Sequence, residues 1–329
     1  MSWSVSWQVF IGGADFSSKL APYLLDISVT DKAGAVSDSA SISIDNTDGH
    51  AGVPQEGAPL VIFLEGAPVF NGVIDSVRCS GSRSGGRKIA INGKGFDPRS
   101  KAKEPQQLHQ DDSSLQSFLG KVADSAGFSL SIKGDLGSIE RDYWAADGES
   151  LIHVGQRLAR ELNATFKLQG NKAVLAPRDE PAGLSVVAGI VGREQAGNVI
   201  DWDIAPYTGR PKFAQARVQW FDRKTAETKE EKVETPIEGG GEASNLVRSR
   251  AMDAEQAQRI GKGRGGENRR EGGDGSVTLD LTVTAKAEGI FTLTGADAGA
   301  DGIYRIESVT HSANRSGGSI TKLELKQPE

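Results

Sequence analysis

The chain has one cysteine, Cys79, in 329 residues, so no disulfide can form within it. On an apparent strand, that cysteine reads as a small buried hydrophobe. Long apolar runs are missing too. The longest unbroken one is Leu60 to Leu64, far short of the roughly 20 residues a membrane span needs. The opening stretch, MSWSVSWQVFIGGADF, has no Lys or Arg ahead of a long apolar core and does not read as a signal peptide.

Chemistry-bearing patterns are equally scarce. His50, His109, His153 and His311 are scattered, without the i, i+4 pair or Cys partner of a metal site. Asp45 to Gly49 has the acidic spacing of a calcium loop, with Glu56 at the twelfth place. His50 stands where that loop's sharp turn requires glycine, so the stretch reads as a plain turn. Gly261 to Gly266, GKGRGG, lacks the Lys-Ser/Thr ending of a phosphate loop and follows a polar helix. No G-x-S-x-G elbow occurs. Aromatics make up only 6% of the chain, too few to wall a cleft that would raise a catalytic carboxyl pKa. Trp3, Trp7, Trp202 and Trp220 fall on strand-like runs and read as core. The expectation is no catalytic residue, no cofactor and no metal. A formal charge of −6 argues against a phosphate-binding surface and hence against specific nucleic-acid binding.

What is present is a repetition. Asp75 to Gly86 reads DSVRCSGSRSGG, and 232 positions later Glu307 to Gly318 reads ESVTHSANRSGG, with seven of the twelve residues identical. Each copy has the same setting. A Gly turn (Asn71-Gly72 or Asp301-Gly302) precedes a strand (Val73 to Val77 or Ile303 to Val309). A polar loop then closes on a Gly pair (Gly85-Gly86 or Gly317-Gly318). An alternating strand follows, with Ile89 and Ile91 or Leu323 and Leu325. Asn-Gly and Asp-Gly between apolar runs are hairpin signals. Glu56-Gly57 and Glu288-Gly289 precede the two copies at the same separation. A duplicated module is predicted, with Gly72, Gly85, Gly86, Gly302, Gly317 and Gly318 shaping its hairpins.

The length allows two or three domains. Residues 1–98 read as β throughout, with alternating runs broken by Gly, Asp and Pro clusters. Within 99–181 the period changes. Leu115, Phe118, Leu119, Val122, Ala123 and Ala126 form one helix face, capped by Asp112 or Ser113 and ended by Gly127. A second helix starts near Gly148-Glu149-Ser150, with Leu151, Ile152, Gly155, Leu158, Ala159 and Leu162 inside and Asn163 at its close. Strands Thr165 to Leu168 and Ala173 to Ala176 follow across Gly170-Asn171. Residues 182–329 return to β, interrupted by a polar Gly/Arg-rich connection at 239–275. That connection reads as solvated and mobile, with one short helical piece, Arg248 to Ile260. The predicted fold class is mainly β with an α+β insert: two similar β-barrel domains flanking a small α+β domain.

Taken in order, several stretches resemble the phage late control D family of tail and baseplate hub proteins, related to the hub portion of VgrG-type spikes. They are LLDISVTDKAGAVSDSASISIDNTDG, PQEGAPLVIFL, FNGVIDSV, YWAADGESLIHVGQRLARELNATFKL and DGIYRIESVTHSANRSGGSITKLELKQP. The resemblance spans nearly the whole chain. It implies a homotrimer in a virion tail baseplate or phage-tail-like particle, made in the host cytoplasm. The implied partners are a trimeric spike protein, the tail tube or a tube-initiator protein, and other baseplate proteins. On that reading Arg248, Arg259, Lys262 and Arg264 are candidates for a partner-facing segment that orders on assembly. The competing expectations are a carbohydrate-binding or cell-wall-degrading tail protein and, more distantly, a transcriptional regulator. The latter lacks a helix-turn-helix.

Overall fold

Alternating apolar and polar residues put every second side chain on one face of a strand, and the first module is built from such runs. In a computed structural model, residues 5–178, 185–192, 196–208, 213–235, 243–315 and 318–327 are described. The first module comprises β1 (Trp7–Ile11), β2 (Ala14–Asp15), α1 (Ser17–Leu20), β3 (Leu24–Lys32), β4 (Ser39–Asp45), β5 (Pro59–Leu64), β6 (Ala67–Ser82) and β7 (Gly86–Lys94). In β4, Ala40, Ile42 and Ile44 are buried while the intervening serines are not. The strand order is β3-β4-β7-β6-β5-β1-β2, antiparallel throughout. Val9 of β1 and Leu24 of β3, from opposite ends of that order, share one core with Ile42, Ile62, Ile74 and Ile91. The sheet therefore curls on itself into a barrel.

One predicted turn is misplaced. The β5–β6 hairpin turns at Glu65-Gly66, both with positive φ (49° and 75°), as a two-residue turn matching strand twist demands. Asn71 and Gly72 lie inside β6, paired with Val61 and Leu60. Gly72 serves close approach instead: a Cβ there would lie 2.1 Å from the Lys94 carbonyl oxygen.

The insert runs through β8 (Gln106–Ser114), α2 (Leu115–Ser125), β9 (Ser129–Ile132), β10 (Glu140–Glu149), α3 (Leu151–Glu161), β11 (Ala164–Gln169) and β12 (Lys172–Pro177). Its two helices fall where the periodicity places them. Ser114, one residue beyond the predicted caps, accepts from the Ser117 N–H at 3.2 Å, and Ser150 caps α3. Phe118 of α2 stacks on Trp144 of β10 with ring centroids 5.5 Å apart. A Cβ on Gly155 would sit 2.5 Å from the Phe166 ring, so glycine lets α3 lie against β11.

The second module has β13 (Val186–Ile190), β14 (Val199–Ala205), β15 (Gln215–Asp222), β16 (Glu227–Glu234), β17 (Ser244–Ala251), α4 (Ala254–Arg270), β18 (Asp274–Asp280), β19 (Ile290–Thr294), β20 (Gly302–Asn314) and β21 (Gly318–Lys326). Its order, β14-β18-β21-β20-β19-β13, parallels β3-β4-β7-β6-β5-β1, except that β13 runs parallel to β19. Val187, Val277, Phe291, Ile306 and Leu323 form its core.

The connection at 239–275 departs from expectation. Its described part is the strand β17 and the 17-residue helix α4, with β16-β15-β17 as a separate sheet; residues 236–242 lie outside the described residues. Glycines of that Gly-rich stretch are packing positions in the helix. A Cβ on Gly261 or Gly265 would come within 2.4 Å of Val233 or Thr235, and one on Gly263 within 3.1 Å of the Arg160 carbonyl.

The two modules share one sheet. The second half of β20 pairs antiparallel with β3, from Ser308↔Lys32 to Asn314↔Asp26. The Thr30 and Thr310 hydroxyls meet across this junction at 3.0 Å. His311, buried opposite Val29, holds its Nδ1 3.0 Å from the Thr321 hydroxyl.

Two measurements follow. Gly72→Ala should cost about 1–3 kcal/mol in urea unfolding through overpacking. Gly302→Ala should stay within about 0.5 kcal/mol, since its Cβ would meet nothing nearer than 3.9 Å; equal losses would contradict these roles. Burial is the main cause lowering the His311 pKa below 6.5, opposed by the Ala285 backbone and the Asp31 charge. As pH falls through that value the unfolded chain takes up a proton that the native His311 refuses, so stability drops. From about pH 7.5 to about pH 5.5 the wild type should lose stability relative to His311→Gln; parallel curves would contradict it.

Candidate assembly surfaces

The duplication extends from composition to hydrogen-bond register. Ser82↔Gly86, Cys79↔Ile89 and Val77↔Ile91 in the first hairpin reappear as Asn314↔Gly318, His311↔Thr321 and Val309↔Leu323 in the second. Each pair is displaced by the same 232 positions. Both hairpins carry a register shift at the same place, between Ile74 and Ser76 and between Ile306 and Ser308. The neighbouring strands agree without sequence identity to announce it. The pair β3/β4 is irregular between Leu24 and Asp26, and β14/β18 between Val199 and Asp201. Bulges are specific local devices, so shared bulges mark common architecture.

The predicted glycines fare differently. Gly86 and Gly318 open the return strands with φ of 66° and 83°, a region other residues enter at a cost. Gly85 donates its N–H to the Ser82 hydroxyl at 2.8 Å. Gly302 begins β20, where a Cβ would meet only the Tyr304 side chain, at 3.9 Å, and Gly317 lies outside the described residues. Cys79 is exposed, which corrects its reading as buried. Its equivalent, His311, is covered because β20 has β3 beside it. Trp7, Trp202 and Trp220 are half-buried at the margins of their cores; Trp3 lies outside the described residues.

The four charged candidates do not form one loop. Arg248 is exposed on β17; Lys262 and Arg264 are exposed on α4, and Arg259 is half-buried there. Arg259 pairs with Glu255 and Arg264 with Glu267 along the helix. These residues lie on the strand β17 and the helix α4.

A second set of charges, missed from sequence, gathers where the three parts meet. Lys167 of the insert pairs with Asp31, and with Asp38 at 3.0 Å. Arg178 lies 3.3 Å from Glu288, which also accepts from Thr165 at 2.8 Å and faces Arg305 at 3.4 Å. Burial works to raise the Asp31 carboxyl, but Lys167 and the Ala287 N–H hold it below its usual value. Burial pushes Glu307 up and Arg270 down. No sequence spacing links these residues, because three distant segments supply them. Among the described residues no group of three or more His, Cys, Asp or Glu could hold a metal ion, and no helix is long and apolar enough to cross a membrane.

No family model and no curated protein sequence matches this chain. Solved structures do. A tail protein from Neisseria meningitidis MC58 superposes with a TM-score of 0.75 at 15% identity, covering 99% of this chain and 97% of that one. The 43 kDa tail protein of prophage MuSo2 from Shewanella oneidensis gives 0.73 at 17% identity, covering 99% of both. The E. coli c3393 protein is a type VI secretion component with structural similarity to the T4 bacteriophage tail proteins gp27 and gp5. It gives 0.59 at 12% identity, over 98% of this chain and 77% of that one. The chain thus has the mainly β fold seen in phage tail proteins.

Proposed function

We propose that this chain is a structural hub subunit of a phage tail baseplate or phage-tail-like particle of the late control D type, working as a homotrimer. The observation that carries the proposal is the register-for-register repeat of one β module within the chain. Three copies of a two-module chain make six similar modules in a ring. Such a ring offers a nearly sixfold face to a hexameric tube, and its true threefold symmetry suits a trimeric spike. The likeness to tail proteins over almost the full length of two solved structures supports the setting. The role has no catalytic step; its work is to hold geometry between partners of different symmetry.

The part-buried ion pairs among the modules and the insert support a rigid unit, because they tie three distant chain segments at one place. The exposed charges of α4, with Arg248 nearby on β17, are our candidates for contact with tube or spike.

In solution, alone or mixed with its spike, the protein should give a species of three times the 34.8 kDa chain mass, measured by mass photometry. A dimer or tetramer, or a monomer under both conditions, would contradict the proposal. Reversing Arg259, Lys262 and Arg264 to Glu should weaken capture of tube or spike. Unchanged capture would reject that contact surface.

A further inference from the structure

Each half of the junction between modules exists twice in the chain. The edge that β20 presents, Ser308 to Asn314, is covered by β3. Its duplicate on β6, Ser76 to Ser82, is paired to no described strand on that side. The exposures differ accordingly. His311 and Ala313 are buried, while their equivalents Cys79 and Gly81 are exposed; Thr310, Ser312 and Asn314 are half-buried, while Arg78, Ser80 and Ser82 are exposed. The same holds for the partner edge. Ile27 and Val29 of β3 are buried beneath β20. Their equivalents Trp202 and Ile204 on β14, a terminal strand of the sheet, are half-covered. Ile200, at the bulge position matching Leu25, is 57% exposed.

We propose that β6 of one chain pairs with β14 of a second copy of this chain, repeating between subunits the β20–β3 junction found within one. This rests on the trimeric reading above. Carrying each strand onto its duplicate sets the register. Asn314↔Asp26 becomes Ser82↔Asp201, Ala313↔Ile27 becomes Gly81↔Trp202, and Ser312↔Ser28 becomes Ser80↔Asp203. Likewise His311↔Val29 becomes Cys79↔Ile204, and Thr310↔Thr30 becomes Arg78↔Ala205.

The side chains fit the two faces. On the core side Trp202 and Ile204 would cover Gly81 and Cys79, and the glycine leaves room for a ring larger than the Ile27 that meets Ala313. On the other face Arg78 stands diagonal to Asp203, within reach across an antiparallel pair. A β6 edge meeting another β6 edge would bring Arg78 against its own kind, and two β14 edges would oppose Asp201 and Asp203. Charge therefore disfavours both wrong pairings and favours the head-to-tail one. Equivalent strands at every joint also mean the ring turns by a similar step whether a joint lies within a chain or between two.

Cys79 makes the register testable, because it is the chain's single thiol. Ile204→Cys places a second thiol directly opposite it, at a separation an antiparallel pair can bridge. After mild oxidation a denaturing, non-reducing gel should show covalent dimers and trimers for Ile204→Cys. Neither Ala205→Cys, which points to the opposite face, nor Ile204→Cys with Cys79→Ser should give them. A threefold mass without this cross-link overturns the strand pairing and leaves the trimer standing. A chain that stays monomeric, alone and with its spike, and does not cross-link overturns both. A second variant avoids the core: Arg78→Glu, at an exposed position, should weaken trimer formation about tenfold or more, and adding Asp203→Arg should restore it. Undiminished assembly of Arg78→Glu would also overturn the pairing.

Discussion

An open strand edge is a row of backbone donors and acceptors that needs a partner, and the molecule is arranged around how its edges are satisfied. Within the chain the C-terminal half of β20 lies against β3, joining two curled sheets into one sheet of thirteen strands among the described residues. That single pairing sets the relation of the two modules. It also brings the half-buried Thr30 and Thr310 hydroxyls together on one face and buries His311 on the other.

The insert braces this arrangement from behind. The Leu168 and Gly170 N–H groups donate to Val36 and Gly95 of the first module at 2.7 Å each. Thr165, Lys167 and Arg178 reach acids of both modules. Removing one partner of such a part-buried group would strand a charge rather than merely delete a contact. These contacts tie three chain segments at one place, as the proposed adaptor role requires.

How much of this was legible beforehand depended on the range of the interaction. Helix periods and caps are local, so α2 and α3 fell where Leu115 to Ala126 and Leu151 to Leu162 placed them. The twelve-residue repeat exposed the duplicated hairpin directly. Asn71-Gly72 misled because a turn signal says nothing of what lies across the sheet; close approach to the Lys94 backbone needs the same residue type. In α4 the glycines hid a helix whose buried Ala257, Gly261 and Gly265 recur every fourth residue, a small-residue stripe that propensity alone counts as a breaker. Cys79 was misread because burial belongs to neighbours: its duplicate His311 is covered by β3, and nothing described covers Cys79.

In the proposed trimer the joint within a chain and the joint between chains are equivalent. Electron cryomicroscopy of the assembled particle tests this equivalence most directly. The expected result is a closed ring of three subunits whose end-on projection shows six near-equal lobes, with β6 of each subunit beside β14 of the next. A ring of another symmetry, or a trimer in which those two strands face solvent, would contradict it.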